Sequence, residues 1–183
     1  MRGREILIGV TGGIAAYKSA ALVSRLVQAG AGVSVVMTVA ATRLVGPKTF
    51  ESLSGRPVRI DIWEGPGAHP HIELARAADV FCIAPATANV IAKAACGLAD
   101  DLLSTLILAF SGPILIAPAM NCEMWTKPAV QRNVQRLRDD GVLLIDPEQG
   151  FLSCRDVGPG RMAEPETIAD AIAKTLQGIP ERR

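Results

Sequence analysis

The chain is poor in aromatic residues and has almost no excess of charge of either sign. Aromatic side chains make up only 4% of its 183 residues, so few rings are available to stack on nucleic-acid bases. The formal net charge is +1 and no long basic or acidic run occurs, which argues against binding nucleic acid through bulk charge. No apolar run approaches the roughly 20 residues that cross a bilayer. We therefore expect neither a nucleic acid nor a membrane as partner.

Cysteine and histidine are too sparse to indicate a disulfide framework or a metal site. The four cysteines show no CxxC spacing, and their density is too low for a disulfide scaffold. His69 and His71 are the only histidines, and no cysteine or carboxylate near them has the spacing of a closed metal site. The N-terminus enters a predicted strand directly and lacks the small-residue cleavage site of a signal peptide. These features predict a reduced, cytoplasmic protein without a bound metal.

The sequence does contain a regular alternation of short apolar runs and helical segments. Its length, with 49% hydrophobic and 20% charged residues, fits one globular domain over 1–183. Buried strands are predicted at 5–10, 33–37, 79–84, 114–117 and 141–145. Helices are predicted at 14–29, 71–79, 89–96, 99–110, 126–140 and 165–176, with an interrupted helix at 40–55. This alternation predicts an α/β fold with a doubly wound parallel sheet between two helical layers.

Three segments do not follow the alternation. Residues 56–62 predict a short edge strand, and residues 146–160, which contain several glycines, predict a long irregular connection. Residues 178–183 predict a frayed tail.

Small polar groups follow several predicted strands at their carboxyl ends, where α/β sheets bind ligands. Thr11, Gly12 and Gly13 follow the first strand, Thr38 follows the second, and residues 86–89 follow the third. A glycine turn between a strand and a helix lets backbone N–H groups approach an anion. The turn is not GxGxxG and no acidic residue stands where a dinucleotide ribose needs one, so a mononucleotide such as FMN fits better. The alternative is a tight turn that binds no ligand.

Asn121 and Cys154 are the two side chains whose local sequence suggests chemistry. Asn121 follows the fourth strand, and its amide has the acceptor and donors to hold a carboxylate or an amide, or only to cap the next helix. Cys154 is either a small buried hydrophobe or a thiol that donates a proton, since its polar neighbours are not typical of a core.

Five segments carry a resemblance to a known family. They are GVTGGIAAYK at 9–18, HIELA at 71–75, PATAN at 85–89, PAMNCEMW at 118–125 and GPGRM at 158–162. In this order they resemble the flavin-dependent cysteine decarboxylases, and among these the branch that acts on phosphopantothenoylcysteine in coenzyme A biosynthesis. The PxMNxxMW pattern is specific, whereas the glycine turn and PATAN are shared with flavin prenyltransferases.

The resemblance implies a flavodoxin-like (Rossmann-like) fold with bound FMN, in homotrimers that sometimes assemble into homododecamers with the flavin at the subunit interface. It implies that His71, Asn121 and Cys154 are catalytic. The residues it assigns to the cofactor are Gly12, Gly13, Ile14, Thr38, Phe50, Ala86, Thr87, Asn89, Ser104 and Met120. It assigns Asn121 to the substrate. Met124 and Lys93 are further candidates for substrate binding, but their residue types favour a packing residue and a solvated surface lysine.

The implied reaction converts 4′-phosphopantothenoylcysteine to 4′-phosphopantetheine. Direct loss of CO₂ would leave a carbanion with nowhere to place its charge, so the thiol-bearing carbon is first oxidised by FMN to a thioaldehyde. CO₂ then leaves to give an enethiolate, and the reduced flavin with a proton from Cys154 restores a saturated thiol.

One position departs from the family pattern. The family usually has glycine directly after the cysteine, where this chain has Arg155. A cation there could favour the thiolate and weaken Cys154 as an acid. It could equally point away from the thiol or meet the substrate phosphate. A peptidyl-cysteine decarboxylase that stops at the enethiol is therefore one alternative, and a non-catalytic regulatory flavoprotein is another.

Overall fold

The structure is a computed structural model that describes residues 1–63, 69–151, 155 and 157–180. The strands are β1 (Glu5–Val10), β2 (Gly32–Met37), β3 (Val80–Ala86), β4 (Ile114–Pro118), β5 (Leu143–Leu144), β6 (Glu148–Phe151) and β7 (Val157–Arg161). The helices are α1 (Ala16–Gln28), α2 (Val39–Thr42), α3 (Pro47–Ser54), α4 (Pro70–Ala77), α5 (Ala88–Cys96), α6 (Leu102–Ala109), α7 (Cys122–Trp125), α8 (Pro128–Asp139) and α9 (Pro165–Gln177).

The first five strands form one parallel sheet in the order β2-β1-β3-β4-β5. Glu5 of β1 lies opposite Gly32 of β2, and Ile6 lies opposite Val80 of β3. The strand order reverses between β1 and β3, as in flavodoxin-like folds, and ligands bind at the carboxyl ends beside such a reversal. The predicted doubly wound parallel sheet is confirmed.

Two separate hydrophobic cores cover the two faces of the sheet. Ile6, Ile8 and Val10 of β1 point into a first core with side chains of α1, α3 and α9. Leu7, which points the other way, lies in a second core with α4, α5, α6 and α8. Both faces are buried, so the central strands are continuous apolar runs in the sequence rather than alternating ones.

Two predictions about irregular segments were wrong. Residues 56–62 form no edge strand, because only Arg59 bridges to Val36. Residues 146–160 are not simply irregular, since β6 and β7 pair as an antiparallel hairpin outside the main sheet. We refer to β6 and β7 as the hairpin. Its glycines, which the prediction took as chain breakers, allow close packing: a Cβ on Gly158 would lie 2.9 Å from Cys122 Cβ.

The C-terminal segment, up to Pro180, is hydrogen-bonded to Arg4 near the start of the chain. The Arg4 guanidinium donates hydrogen bonds to the carbonyls of Leu176, Ile179 and Pro180 at 3.2, 2.7 and 2.9 Å. The rest of the predicted frayed tail, 181–183, lies outside the described residues. Within the ranges given above, no helix is both long enough and apolar enough to cross a membrane.

Candidate active site

A cavity of about 440 Å³ opens at the carboxyl ends of β1, β3 and β4. Its walls come from the loop before α1, the start of α5, the turn after β4 and the hairpin. The lining residues are Gly12, Gly13, Ile14, Ala15, Tyr17, Lys18, Thr87, Ala88, Ala119, Met120, Asn121, Met124, Phe151, Gly160, Arg161 and Met162. Its volume falls in the range of about 300–1,000 Å³ that small-molecule and cofactor sites occupy.

The loop between β1 and α1, residues 11–15, presents backbone donors to this cavity. We refer to it as the glycine loop. A Cβ on Gly12 would lie 2.5 Å from Ala40 Cβ, so only glycine fits there. Among the residues that the structure describes, nothing accepts a hydrogen bond from the N–H groups of Gly12, Ile14 or Ala15. The loop leads into the 13-residue helix α1, whose amino end carries partial positive charge. Such a loop is suited to an anion such as a phosphate.

A buried hydroxyl ties the glycine loop to the end of β3. Thr11 is 1% exposed, and its Oγ1 donates to Pro85 O at 2.7 Å and accepts from the Thr87 N–H at 3.1 Å. Thr87 Oγ1 in turn accepts from the Val90 N–H at 3.4 Å and caps α5. The two loops therefore form one wall of the cavity.

Asn121 stands on another wall, at the end of the turn after β4. We refer to residues 118–121 as the amide turn. Asn121 Oδ1 accepts from the Glu123 N–H at 2.8 Å and caps α7. The Met120 N–H donates to Gly160 O at 2.9 Å, so β7 of the hairpin supports the turn. Asn121 thus both caps a helix and lines the cavity, and its contact with a ligand stays a prediction.

Comparison with known sequences places the chain in a family. The Flavoprotein family matches it over residues 1–177. The chain belongs to that family. This flavoprotein is 49% identical, over 176 residues, to the coenzyme A biosynthesis bifunctional protein CoaBC of Bacillus subtilis (strain 168), covering 95% of this chain and 43% of the relative. It is 51% identical over 168 residues to CoaBC of Vibrio cholerae serotype O1, covering 90% and 42%. The chain therefore spans less than half the length of these curated relatives.

Solved structures resemble the whole flavoprotein chain. One is a PPC decarboxylase mutant complexed with pantothenoylaminoethenethiol, with a TM-score of 0.87 and 33% identity over 97% of this chain and all of that one. Another is the FMN-dependent cysteine decarboxylase SpaF, with a TM-score of 0.83 and 37% identity over 94% and 97% of the two chains.

The structure places some of the predicted site residues on the cavity of this flavoprotein and others elsewhere. The predicted residues that line the cavity are Gly12, Gly13, Ile14, Thr87, Met120, Asn121 and Met124. Phe50, Ala86 and Ser104 are buried in the protein interior. Thr38 caps α2 through Oγ1, and Asn89 lies exposed on α5. The roles of all these residues stay predictions.

Lys93 does not line this cavity, and its ammonium group is paired rather than solvated. Its contact with the substrate stays a prediction. Its side chain is 15% exposed, and Nζ lies 2.6 Å from Asp100 Oδ1 and 2.8 Å from Asp101 Oδ2. Partial burial lowers the pKa of Lys93, but its bonds to these two carboxylates outweigh that effect and raise the pKa above its usual value. Lys93 therefore stays protonated and joins the end of α5 to the start of α6.

Of the three predicted catalytic residues, the structure describes His71 and Asn121, and only Asn121 lines the cavity. His71 lies in the first turn of α4, its ring centroid is 6.2 Å from that of His69, and it does not line the cavity that Asn121 lines. His71 Nδ1 is buried and has no hydrogen-bond partner within the described ranges. Cys154 lies outside the described residues. Cys82 is a core residue, and burial raises the pKa of its thiol to about 12.

Sequence reasoning missed several cavity residues. Tyr17, Lys18 and Arg161 line the cavity, yet none was assigned a role. All three lie in segments that carry the family resemblance, GVTGGIAAYK and GPGRM, and that was the available signal. Across the part of the chain that the structure describes, no cluster of three or more histidines, cysteines and carboxylates could hold a metal.

Proposed function

We propose that this flavoprotein is an FMN-dependent decarboxylase of coenzyme A biosynthesis, which converts 4′-phosphopantothenoylcysteine to 4′-phosphopantetheine through a thioaldehyde and an enethiolate. The observation that carries the proposal is that the glycine loop and Asn121 line one cavity at the carboxyl ends of the strands. The likeness to CoaBC proteins and to a PPC decarboxylase supports the same reaction.

The residues of the cavity fit FMN. Gly12, Ile14 and Ala15 have backbone N–H groups to offer the phosphate, and Ile14, Met120 and Phe151 provide apolar contacts for a flat ring. When bound there, FMN supplies the redox chemistry that makes the thiol-bearing carbon an electron acceptor and later reverses that change.

The chain itself orients the substrate and moves protons. In the proposal Asn121 binds the cysteinyl carboxylate through its amide, whose orientation is set by the bond from the Glu123 N–H. His71 is the second catalytic group, and Cys154 supplies the proton that completes the saturated thiol. Because Asn121 holds the substrate carboxylate in place, the entropy cost of orienting the substrate is met on binding and not in the decarboxylation step.

The proposal includes a homotrimer, which can assemble further into a dodecamer, in the cytoplasm. His71 does not line the cavity of its own chain, so it acts at the cavity of a neighbouring subunit. The His71 side chain is only half-buried in its own chain, so part of it is accessible to a neighbouring subunit.

Mass spectrometry of the product tests the reaction. FMN-loaded protein and phosphopantothenoylcysteine should give CO₂ and the saturated thiol, and Cys154→Ser should stall with enethiol. A wild-type protein that releases only enethiol, or that leaves the substrate unchanged, would contradict the proposal.

Subunit mixing tests the shared site. His71→Asn and Asn121→Ala should each be inactive alone, whereas trimers refolded from an equal mixture should regain activity because some cavities then combine both wild-type side chains. If mixing restores nothing while both variants form trimers, His71 and Asn121 act within one chain or not at all.

A peptidyl-cysteine decarboxylase is the second candidate. It is favoured by Arg155, which stands in place of the family glycine. A peptide that ends in cysteine, assayed beside phosphopantothenoylcysteine, separates the two candidates. Turnover of either substrate would exclude a purely regulatory flavoprotein.

A further inference from the structure

A second cavity of about 570 Å³ lies between α1 and the amino end of α9. Tyr17, Lys18 and Arg161 line both this cavity and the first one. The two cavities are therefore neighbours with a shared wall, and an elongated ligand can occupy both.

The shared wall contains two cationic side chains that donate hydrogen bonds to the same carboxylate oxygen. Lys18 Nζ donates to Glu164 Oε1 at 2.9 Å and to Met162 O at 3.3 Å, and Arg161 Nη2 donates to the same Glu164 oxygen. The bond from Lys18, with Arg161 adding to it, holds the pKa of Glu164 below its usual value. Lys18 and Arg161 thus share one carboxylate oxygen, and neither cation has a carboxylate to itself. Glu148 lies beside them, with its Oε1 accepting from the Glu164 N–H at 3.2 Å.

Arg161 is positioned to receive a further anion. Its stem crosses the hairpin at Gly150, where a Cβ would lie 3.1 Å from Arg161 Cδ. A guanidinium has five N–H donors in a fork that matches phosphate geometry, and its side chain here is 40% exposed. Arg25 and Glu166 also line this cavity, but they pair with each other and add no net charge. The amino end of the 13-residue helix α9 adds partial positive charge at the same place.

The substrate of the proposed reaction has an anion at each end. Its cysteinyl carboxylate must lie in the first cavity near Asn121, so its phosphate, at the other end of a flexible chain, needs a separate site. Resting on the function proposed above, we infer that the second cavity binds the phosphate end of the substrate, with Arg161 as donor and Glu164 as the internal carboxylate with which the phosphate competes.

Calorimetric titration of FMN-loaded protein with two unreactive ligands tests this inference. The probes are 4′-phosphopantothenate and pantothenate, which differ only in the phosphate, and the readout is the ratio of their Kd values. Arg161→Gln should weaken binding of the phosphorylated probe about ten-fold or more and leave pantothenate unchanged. Glu164→Gln should shift the ratio the opposite way, because it removes the competing carboxylate. Arg138→Gln is the matched control, since Arg138 pairs with Asp146 on the surface of α8.

The two variants should change the ratio of Kd values in opposite directions. A general loss of stability would not do this, so the test still discriminates if either variant is less stable. Equal weakening of both probes by Arg161→Gln, no effect of either variant on the ratio, or wild-type protein that binds both probes equally would overturn the inference. These outcomes do not depend on turnover. The product assay judges the proposed function separately.

Discussion

The glycine loop and the amide turn both stand at the carboxyl ends of strands, yet they are built in different ways. The glycine loop offers backbone groups and is fixed to the central sheet through Thr11 and through the close approach of Gly12 to Ala40. The amide turn offers a side chain, Asn121, and is supported by a hairpin outside that sheet. A loop that binds through its backbone tolerates many side-chain changes but not an added Cβ at a close contact. A turn that binds through one side chain is sensitive mainly to replacement of that side chain. Binding of the cofactor and of the substrate should therefore be separable by mutation.

The largest effect is expected from Gly12→Ala. The new Cβ would lie 2.5 Å from Ala40 Cβ, so the loop must move and its N–H groups lose their alignment. We expect FMN affinity to fall about 100-fold or more and the protein to be purified colourless. Flavin absorbance and a fluorescence titration with FMN measure this.

Gly46→Ala is the matched control for that change. A Cβ at Gly46 would meet nothing within 4 Å, and its φ of −67° suits any residue. Gly12→Ala protein that stays yellow with wild-type FMN affinity would show that the glycine loop does not hold the phosphate.

Asn121→Asp should abolish most turnover without releasing the flavin. Aspartate caps a helix as well as asparagine, so α7 should persist. Its carboxylate repels the substrate carboxylate and removes the amide donors, so kcat/KM should fall about 100-fold. Flavin content and thermal unfolding, compared with Asn133→Asp on α8, should be unchanged. Loss of FMN in this variant would contradict the idea that cofactor binding and substrate binding can be changed separately.

Gly160→Ala tests whether the hairpin supports the amide turn. Gly160 has a φ of 121°, and its Cβ would lie 2.4 Å from Met120 O. The turn must shift, so we expect kcat/KM to fall about ten-fold while FMN remains bound. Gly141→Ala is the control, because Gly141 has a φ of 86° but no atom within 4 Å of a new Cβ. If kcat/KM fell equally in both variants, backbone strain alone would explain the effect and the hairpin would not be shown to support the turn.

The smallest effect is expected from Arg155→Gly. Arg155 has a φ of 74°, a left-handed conformation that strains an L-residue by about 1 kcal/mol, partly offset by the greater freedom of glycine in the unfolded chain. A rise in Tm of about 1–2 °C should follow. Arg155→Ala removes the same cation but keeps the strain, so a similar rise in both variants would assign the gain to charge.

The central sheet could be predicted because each strand carries its own signal. In β1 and β3 both faces are buried, so an unbroken apolar run indicates a parallel strand without knowledge of its neighbours. The glycine loop and the cap at Asn121 are also local, since each depends on residues close together in the chain.

The remaining features depend on contacts between distant residues. Val58 and Ile60 look like an edge strand in the sequence, but in the structure they pack against the first core. The hairpin was missed because its glycines are explained only by the atoms of Cys122, Met120 and Arg161 that approach them. Lys18 was missed for the same reason, since its partner Glu164 is 146 positions away in the sequence.

One hydroxyl, that of Thr11, sets the spacing between two of the cavity's walls before any ligand arrives. It bonds to both Pro85 and Thr87, so the loop after β1 is held against the end of β3 and the residue that follows it. A ligand that enters between them need not organise the gap, and less conformational entropy is lost on binding. Tight binding of a small cofactor can then arise from shape already present in the fold rather than from many strong contacts.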